Sequence, residues 1–210
     1  MEVSRSDVRD TYGEIAEHFA ATREYPWPEV TEFLADAPPG DLGLDVGCAN
    51  GRHLDALADR TDCVCGVDLS RPLLALAAER TPARDDVTLV QGDATALPIT
   101  ADSVDVALYV ATLHHLPTAS ARRASLAELA RVLAPESRAL VSVWSVEHDR
   151  FDRETGFDAT VDWTLPDGDI VSRFYHIYAR EEFVTALEES PLTMLDVERS
   201  SGNYYATVTA

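Results

Sequence analysis

The feature that most constrains this chain is a series of short apolar segments alternating with helical patterns between residues 42 and 144. Leu42–Val46, Cys63–Val67, Val87–Val90, Val104–Val110 and Ala139–Trp144 read as strands. Arg52–Arg60, Arg71–Arg80 (capped by Ser70) and Ser120–Leu133 read as helices between them. Helical crossovers join parallel strands, so the pattern predicts an α/β fold with a parallel sheet covered on both faces. Asp7–Ala21 reads as an amphipathic helix with Tyr12, Ile15 and Phe19 on one face, and Glu29–Ala37 as a short helix ended by Pro38-Pro39-Gly40. Beyond Trp144, Ser145–Tyr175 is polar, acidic and aromatic without sustained periodicity, and reads as a long functional loop. A helix over Glu181–Leu187 and a closing strand pair, Met194–Glu198 and Tyr204–Val208, complete the pattern. With 210 residues the chain fits one domain. Its expected parts are an N-terminal helical cap over 1–39, a core over 40–145, an insertion over 146–178 and closing elements over 179–210.

The strand ends carry the chemistry. The first strand runs through Asp45 into Gly47-Cys48-Ala49-Asn50-Gly51. Glycine lets a ligand approach the backbone, and the next helix offers amides at its N-terminus. Ligands of such sheets bind beyond the carboxyl ends of the strands. The dinucleotide spacing Gly-x-Gly-x-x-Gly is absent; the chain has Asp-x-Gly-x-x-x-Gly, with Ala49 at the middle position. The second strand ends at Asp68, 23 residues beyond Asp45, where a carboxylate can accept from ribose hydroxyls. The third leads to Gly92-Asp93-Ala94, where an acid can accept from an adenine amino group. Singly, each acid reads as a turn or cap residue; three in succession at strand ends point to a nucleoside.

Charge and cysteine content bound the setting. There are 37 acidic and 17 basic residues, all of the latter arginine, for a net charge of −20. The acidity is spread along the chain, as expected of a halophilic archaeal protein adapted to concentrated intracellular salt. At roughly molar salt the Debye length is about 3 Å, so net charge neither favours nor excludes a nucleic acid partner. No apolar run is long enough to span a bilayer, and Met1-Glu2-Val3-Ser4-Arg5 lacks a signal peptide's apolar stretch, so a cytoplasmic protein without membrane contact is expected. Cys48, Cys63 and Cys65 form neither a disulfide framework nor a zinc set, and Cys63 and Cys65 at period two read as buried thiols. No metal site is expected.

Asp45-Val-Gly-Cys-Ala-Asn-Gly51, Gly66-Val-Asp68, and Gly92-Asp93-Ala94 followed by Leu97-Pro98 resemble the successive motifs of class I S-adenosylmethionine-dependent methyltransferases, over about residues 40 to 145. The resemblance implies a Rossmann-like seven-stranded sheet, order 3-2-1-4-5-7-6, with strand seven antiparallel. It implies S-adenosylmethionine as cofactor, held by Asp45, Gly47, Cys48, Gly51, Asp68, Leu69, Asp93, Ala94 and Val110. The flanks narrow it. Tyr12-Gly-Glu-Ile-Ala-Glu-His-Phe19 with Thr22-Arg-Glu-Tyr-Pro-Trp-Pro28, Leu113-His-His-Leu116, Val143-Trp144 with Glu147, and Arg173-Phe-Tyr-His-Ile-Tyr178 resemble the tRNA wobble-uridine carboxymethyl methyltransferases. That family esterifies the carboxylate of 5-carboxymethyluridine in the tRNA anticodon loop.

A carboxylate is ionised at neutral pH and needs alignment more than a base. Arg23 and Arg173 are the candidates to grip it, with Arg23 and His115 expected at the transfer centre. Trp27, Trp144, Glu147, Arg173, Tyr175 and His176 are expected to contact the nucleotide. The resemblance also implies a heterodimer with a small zinc-binding activator protein. Val87–Val90, an edge strand in this topology without a protecting charge, is its expected seat. Two other readings share the cofactor core: a methyltransferase for a quinone or small carboxylic acid, and a non-catalytic nucleoside-binding subunit.

Overall fold

The computed structural model describes residues 3–81 and 84–210; Met1 and Glu2, read above as part of a leaderless N-terminus, lie outside the described residues. The sheet is built from β1 (Gly40–Val46), β2 (Thr61–Asp68), β3 (Val87–Gln91), β4 (Val104–Tyr109), β5 (Leu133–Trp144), β8 (Thr193–Ser200) and β9 (Asn203–Thr209). Their spatial order is β3-β2-β1-β4-β5-β9-β8. The first five are parallel, and β9 runs antiparallel to both β5 and β8. This is the expected order, with β8 and β9 as its sixth and seventh strands.

Central β4 is nearly continuous apolar sequence, as a strand covered on both faces requires. On one face α3 (Pro28–Asp36), α4 (Leu54–Ala58) and α5 (Arg71–Arg80) bury Leu34, Leu57 and Leu74 against the sheet. On the other, α6 (Ala119–Val132) and α7 (Arg180–Glu188) bury Leu129, Phe183 and Leu187. No helix is long and apolar enough to cross a membrane among the described residues.

Several boundaries differ from the sequence expectation. The first helix is broken: α1 (Arg5–Glu14) and α2 (Ala16–Ala21) meet at Ile15, which leaves helical geometry and is fully buried. The helix expected over Arg52–Arg60 shrinks to α4, which begins three residues after Gly51. Ser70 precedes α5, but its hydroxyl makes no cap and is buried without a partner. Cys65 is buried and Cys63 exposed. Strand β3 begins opposite Val64, so Cys63 lies beyond the cover that β3 provides. On β3, the edge strand of the sheet, Val87 and Leu89 pack against the α4 side and Val90 against the other core, so the apolar side chains are partly covered.

The largest difference is Ser145–Tyr175. It contains β6 (Phe157–Thr164) and β7 (Ile170–Ile177), paired antiparallel from Phe157↔Ile177 to Thr164↔Ile170. Val171, Arg173, Tyr175 and Ile177 alternate inward. The arginine inside that alternation masks it in a pattern based on apolar residues. The hairpin's stem joins the end of β5: Val146 N–H donates to Tyr178 O, and Tyr178 N–H to Trp144 O, each at 2.9 Å. It packs with α1 over the carboxyl ends of the parallel strands.

Candidate active site

The carboxyl ends of β1, β2 and β4, the N-terminal helices and the β6–β7 hairpin enclose one cavity of about 480 Å³. Gly47, Cys48, Asp68, Leu69, Asp93, Ala94, Val110, Arg23, Trp27, His115, Trp144, Arg173 and Tyr175 all line it. Asp45, Gly51, Glu147 and His176 do not.

The turn after β1 alternates into the left-handed region at Gly47 (φ 75°), Ala49 (φ 49°) and Gly51 (φ 74°). A Cβ at Gly47 would fall against the Thr112 side chain, so glycine is required there by space as well as by φ. Ala49 tolerates its conformation at a modest cost, and its N–H donates to Asp68 Oδ2 at 2.9 Å. Gly47 and Cys48 donate to Val67 O at 2.7 and 3.1 Å, tying the turn to β2. Asp45 lies beneath the turn, 1% exposed, and its Oδ2 has no hydrogen-bond partner. Burial pushes its carboxyl up to about 7. Neighbouring His53, with Nδ1 at 4.0 Å from that oxygen, is pushed down to about 3 by burial and the nearby Arg52.

Asp68 Oδ1 accepts from Ser70 N–H at 2.7 Å. Burial pushes its carboxyl up to about 6, against the pull of backbone donors from Ser70 and Ala49. Asp93 accepts from Thr95 and pairs with Arg5 of α1. Burial opposes its ionisation, but these donors outweigh it and hold the carboxyl below its ordinary range.

The unpartnered Ser70 hydroxyl and the two carboxylates on the cavity wall, Asp68 and Asp93, are acceptors for the hydroxyl and amino donors of a nucleoside, and the unpartnered Asp45 Oδ2 lies buried beneath the turn, outside the lining. The residues fit S-adenosylmethionine.

The opposite half of the cavity is aromatic and cationic. Six arginines line the cavity (Arg5, Arg9, Arg23, Arg52, Arg150 and Arg173) against two aspartates, in a chain of net charge −20. Arg173 is 8% exposed and makes no salt bridge among the described residues. Its guanidinium stacks 4.6 Å from the Trp163 ring centre and 5.2 Å from that of Tyr175, and its Nε is buried without a partner. Arg23 lies over Phe19 and Trp163 at 5.6 and 5.5 Å and donates to Thr22 O.

Trp27 has one face covered by Arg52 at 4.5 Å and meets His53 and Tyr205 edge-on, so it packs beside the cofactor turn. Burial, with Arg23 nearby, lowers Arg52 to about 10. Trp144 packs edge-on against Tyr175 at 5.0 Å.

His115 Nδ1 faces the Phe174 carbonyl at 3.0 Å, which can only accept, so that nitrogen carries the proton. Nε2 then accepts from the Tyr12 hydroxyl at 2.9 Å. Both ring nitrogens are spent, and burial lowers the ring to about 4. His115 thus anchors α1 to the hairpin and has no donor left for a ligand.

Glu147 bonds the Tyr204 hydroxyl and pairs with Arg199 outside the cavity. His176 is clamped between Asp158 at 2.6 Å and Glu182 at 2.7 Å, tying β7 to β6 and α7. Tyr12, Arg52, Thr112, His114 and Trp163 are cavity or clamp residues that had no functional assignment from sequence. The arginine directly following Gly51 was the one available signal.

The "Methyltransferase domain" family profile matches residues 44–141. The mouse tRNA (carboxymethyluridine(34)-5-O)-methyltransferase ALKBH8 is 37% identical over 149 residues, 71% of this chain and 21% of that protein. The chain thus spans about a fifth of that vertebrate relative's length. The Schizosaccharomyces pombe tRNA (carboxymethyluridine(34)-5-O)-methyltransferase is 26% identical over 228 residues, covering 98% of this chain and 96% of that one. A chain from a complex with the Haloferax volcanii Trm112 methyltransferase activator shares the fold, with TM-score 0.72, 19% identity and 97% coverage of both chains. With its strand order, its Asp45–Gly51 turn and these relatives, the chain carries a class I S-adenosylmethionine-dependent methyltransferase domain homologous to that of the tRNA carboxymethyluridine methyltransferases.

Proposed function

We propose that this protein transfers a methyl group from S-adenosylmethionine to the carboxylate of 5-carboxymethyluridine at the tRNA wobble position, giving the methyl ester. The observation that carries the reading is Arg173: a buried guanidinium against two aromatic rings, lining the cavity with no carboxylate paired to it among the described residues. Burying an unpaired cation is costly, and an anionic acceptor removes that cost. When bound, S-adenosylmethionine supplies an electrophilic methyl group on a sulfonium. The chain's own part is to strip water from the acceptor, hold one carboxylate oxygen and leave the other free. Arg173 is the grip, Tyr175 and Trp144 form the wall, and Arg23 adds positive charge at the rim. Asp45, Asp68 and Asp93 are assigned to the cofactor, with Gly47, Cys48, Gly51, Leu69, Ala94 and Val110 shaping its seat. Segments 1–39 and 146–178 form the acceptor side.

The homology to tRNA carboxymethyluridine methyltransferases supports the RNA acceptor. The high-salt reading rests on the distributed acidity, and a cytoplasmic location follows from a tRNA substrate. Strand β3, at one end of the sheet, is the proposed seat for a small zinc-binding activator that adds a strand. Equal solubility and cofactor affinity with and without the activator would sink that part.

Incubating the full chain with methyl-labelled cofactor and bulk tRNA tests the main reading. Label should enter tRNA and be released by mild base, as an ester requires. Base-stable label in tRNA, or label only in a small carboxylic acid, would refute it.

A further inference from the structure

We propose that His114 contacts the acceptor, its Nε2–H donating to the carboxylate oxygen that does not attack. The inference deepens the reading above and rests on the acceptor being a carboxylate.

His114 sits in the 3-10 turn Leu113–His115 that follows β4. It lines the cavity and is 3% exposed. The Trp144 N–H donates into its Nδ1 at 3.0 Å, so the ring proton is on Nε2. No protein atom accepts that proton among the described residues, and Nε2 is not one of the sealed, unpartnered atoms. It is therefore an N–H that points into the cavity and is satisfied only by what enters. His115, the adjacent imidazole, is fully committed to Tyr12 and Phe174.

The surroundings set the donor's character. The His114 ring packs on His115 at 4.5 Å and on Tyr175 at 5.1 Å. Arg173 flanks the same Tyr175 ring at 5.2 Å. Burial first, then the nearby His115, His176 and Arg173, keep the ring uncharged far below its ordinary range. An uncharged donor beside a guanidinium can hold a carboxylate oxygen without a second full ion pair, which would blunt the nucleophile. The backbone N–H of Trp144 fixes the tautomer, so the donor needs no reorganisation when the acceptor arrives.

The test combines imidazole ¹⁵N NMR of the full chain, bound to S-adenosylhomocysteine, with kinetics on tRNA. The Nε2–H tautomer is expected for His114, and adding the nucleoside 5-carboxymethyluridine should move its Nε2 proton downfield more than any His115 signal. His114→Ala should lower kcat about 10- to 100-fold, the range of one hydrogen bond to a charged group. His114→Gln, which keeps an N–H at a similar reach, should stay within about fivefold of wild type. Both variants should bind S-adenosylhomocysteine normally, and wild-type kcat should show no acid limb from this group in the ordinary range of histidine. An Nδ1–H tautomer, an unresponsive His114, or an acid limb in kcat that vanishes in His114→Gln would overturn the proposal. If His114→Ala does not fold, the tautomer and the glutamine variant still decide. A His114 that responds to the nucleoside while tRNA takes no label would refute the tRNA reading alone; methylated tRNA with a silent His114 would refute this inference alone.

Discussion

The indole N–H of Trp163 donates to His18 Nδ1 across 3.1 Å, joining the β6–β7 hairpin to the N-terminal helices over the cavity. Phe19 and Arg23 pack on the same indole, so one side chain links both walls of the cavity's acceptor side. Trp163→Phe removes the hydrogen bond and keeps the ring, and should lower kcat/KM less than about tenfold. Trp163→Ala removes the ring that backs the lining residues Phe19, Arg23 and Arg173 and should cost about 100-fold or more, with cofactor affinity within about threefold in calorimetry. Equal effects of both variants would show that the indole ring does not hold these lining residues in place.

Arg173 should not be replaceable by lysine. An ammonium lacks the planar fork and cannot stack between Trp163 and Tyr175 as the guanidinium does. Arg173→Lys and Arg173→Gln should each lower kcat/KM about 100-fold or more in steady-state assays. Stability should hold or rise in Arg173→Gln, which removes a buried cation that has no salt-bridge partner among the described residues, and should not rise in Arg173→Lys, which keeps the charge.

Cofactor affinity should depend on pH through Asp68. Burial raises its carboxyl to about 6 in the cofactor-free protein, above the unfolded value. The sign follows from linkage: this group contributes stability fully below the unfolded value near 3.8, and the contribution is lost as pH rises through about 6. Asp45, raised to about 7, acts in the same direction one unit higher. Hydroxyl donors from a ribose favour the ionised form of Asp68, so S-adenosylhomocysteine should bind more tightly as pH rises from about 5 to 7. Asp68→Asn should bind weakly and lose the part of the slope centred near 6. An unchanged slope in that variant would place the titrating group elsewhere.

A net charge of −20 should make the fold salt-dependent. Raising KCl from about 0.1 M to molar levels screens repulsion worth a few kcal/mol, and should lift the thermal midpoint by roughly 5–10 °C. A flat or falling midpoint would contradict the high-salt reading.

The parts of this architecture that repeat simple rules were legible from residues alone. The apolar run of β4, the spacing of Asp45, Asp68 and Asp93, and the missing dinucleotide glycine led to the sheet and to a nucleoside site. The hairpin was not legible, because Arg173 interrupts an inward-facing alternation that otherwise runs from Val171 to Ile177. Cys63 follows β2's period yet is exposed, because exposure depends on where β3 starts in space. The two adjacent histidines show the limit most clearly. Sequence pointed to His115, but backbone carbonyl and amide positions decide which imidazole has a free N–H, and they leave it to His114.

The most direct measurement of the central claim is mass spectrometry of nucleosides from tRNA that carries 5-carboxymethyluridine, after incubation with the full chain and S-adenosylmethionine. The account predicts conversion of that nucleoside to its methyl ester, reversed by mild base and abolished in Arg173→Gln. An unchanged wobble nucleoside, with methyl transfer appearing on another base or on a small molecule, would contradict it.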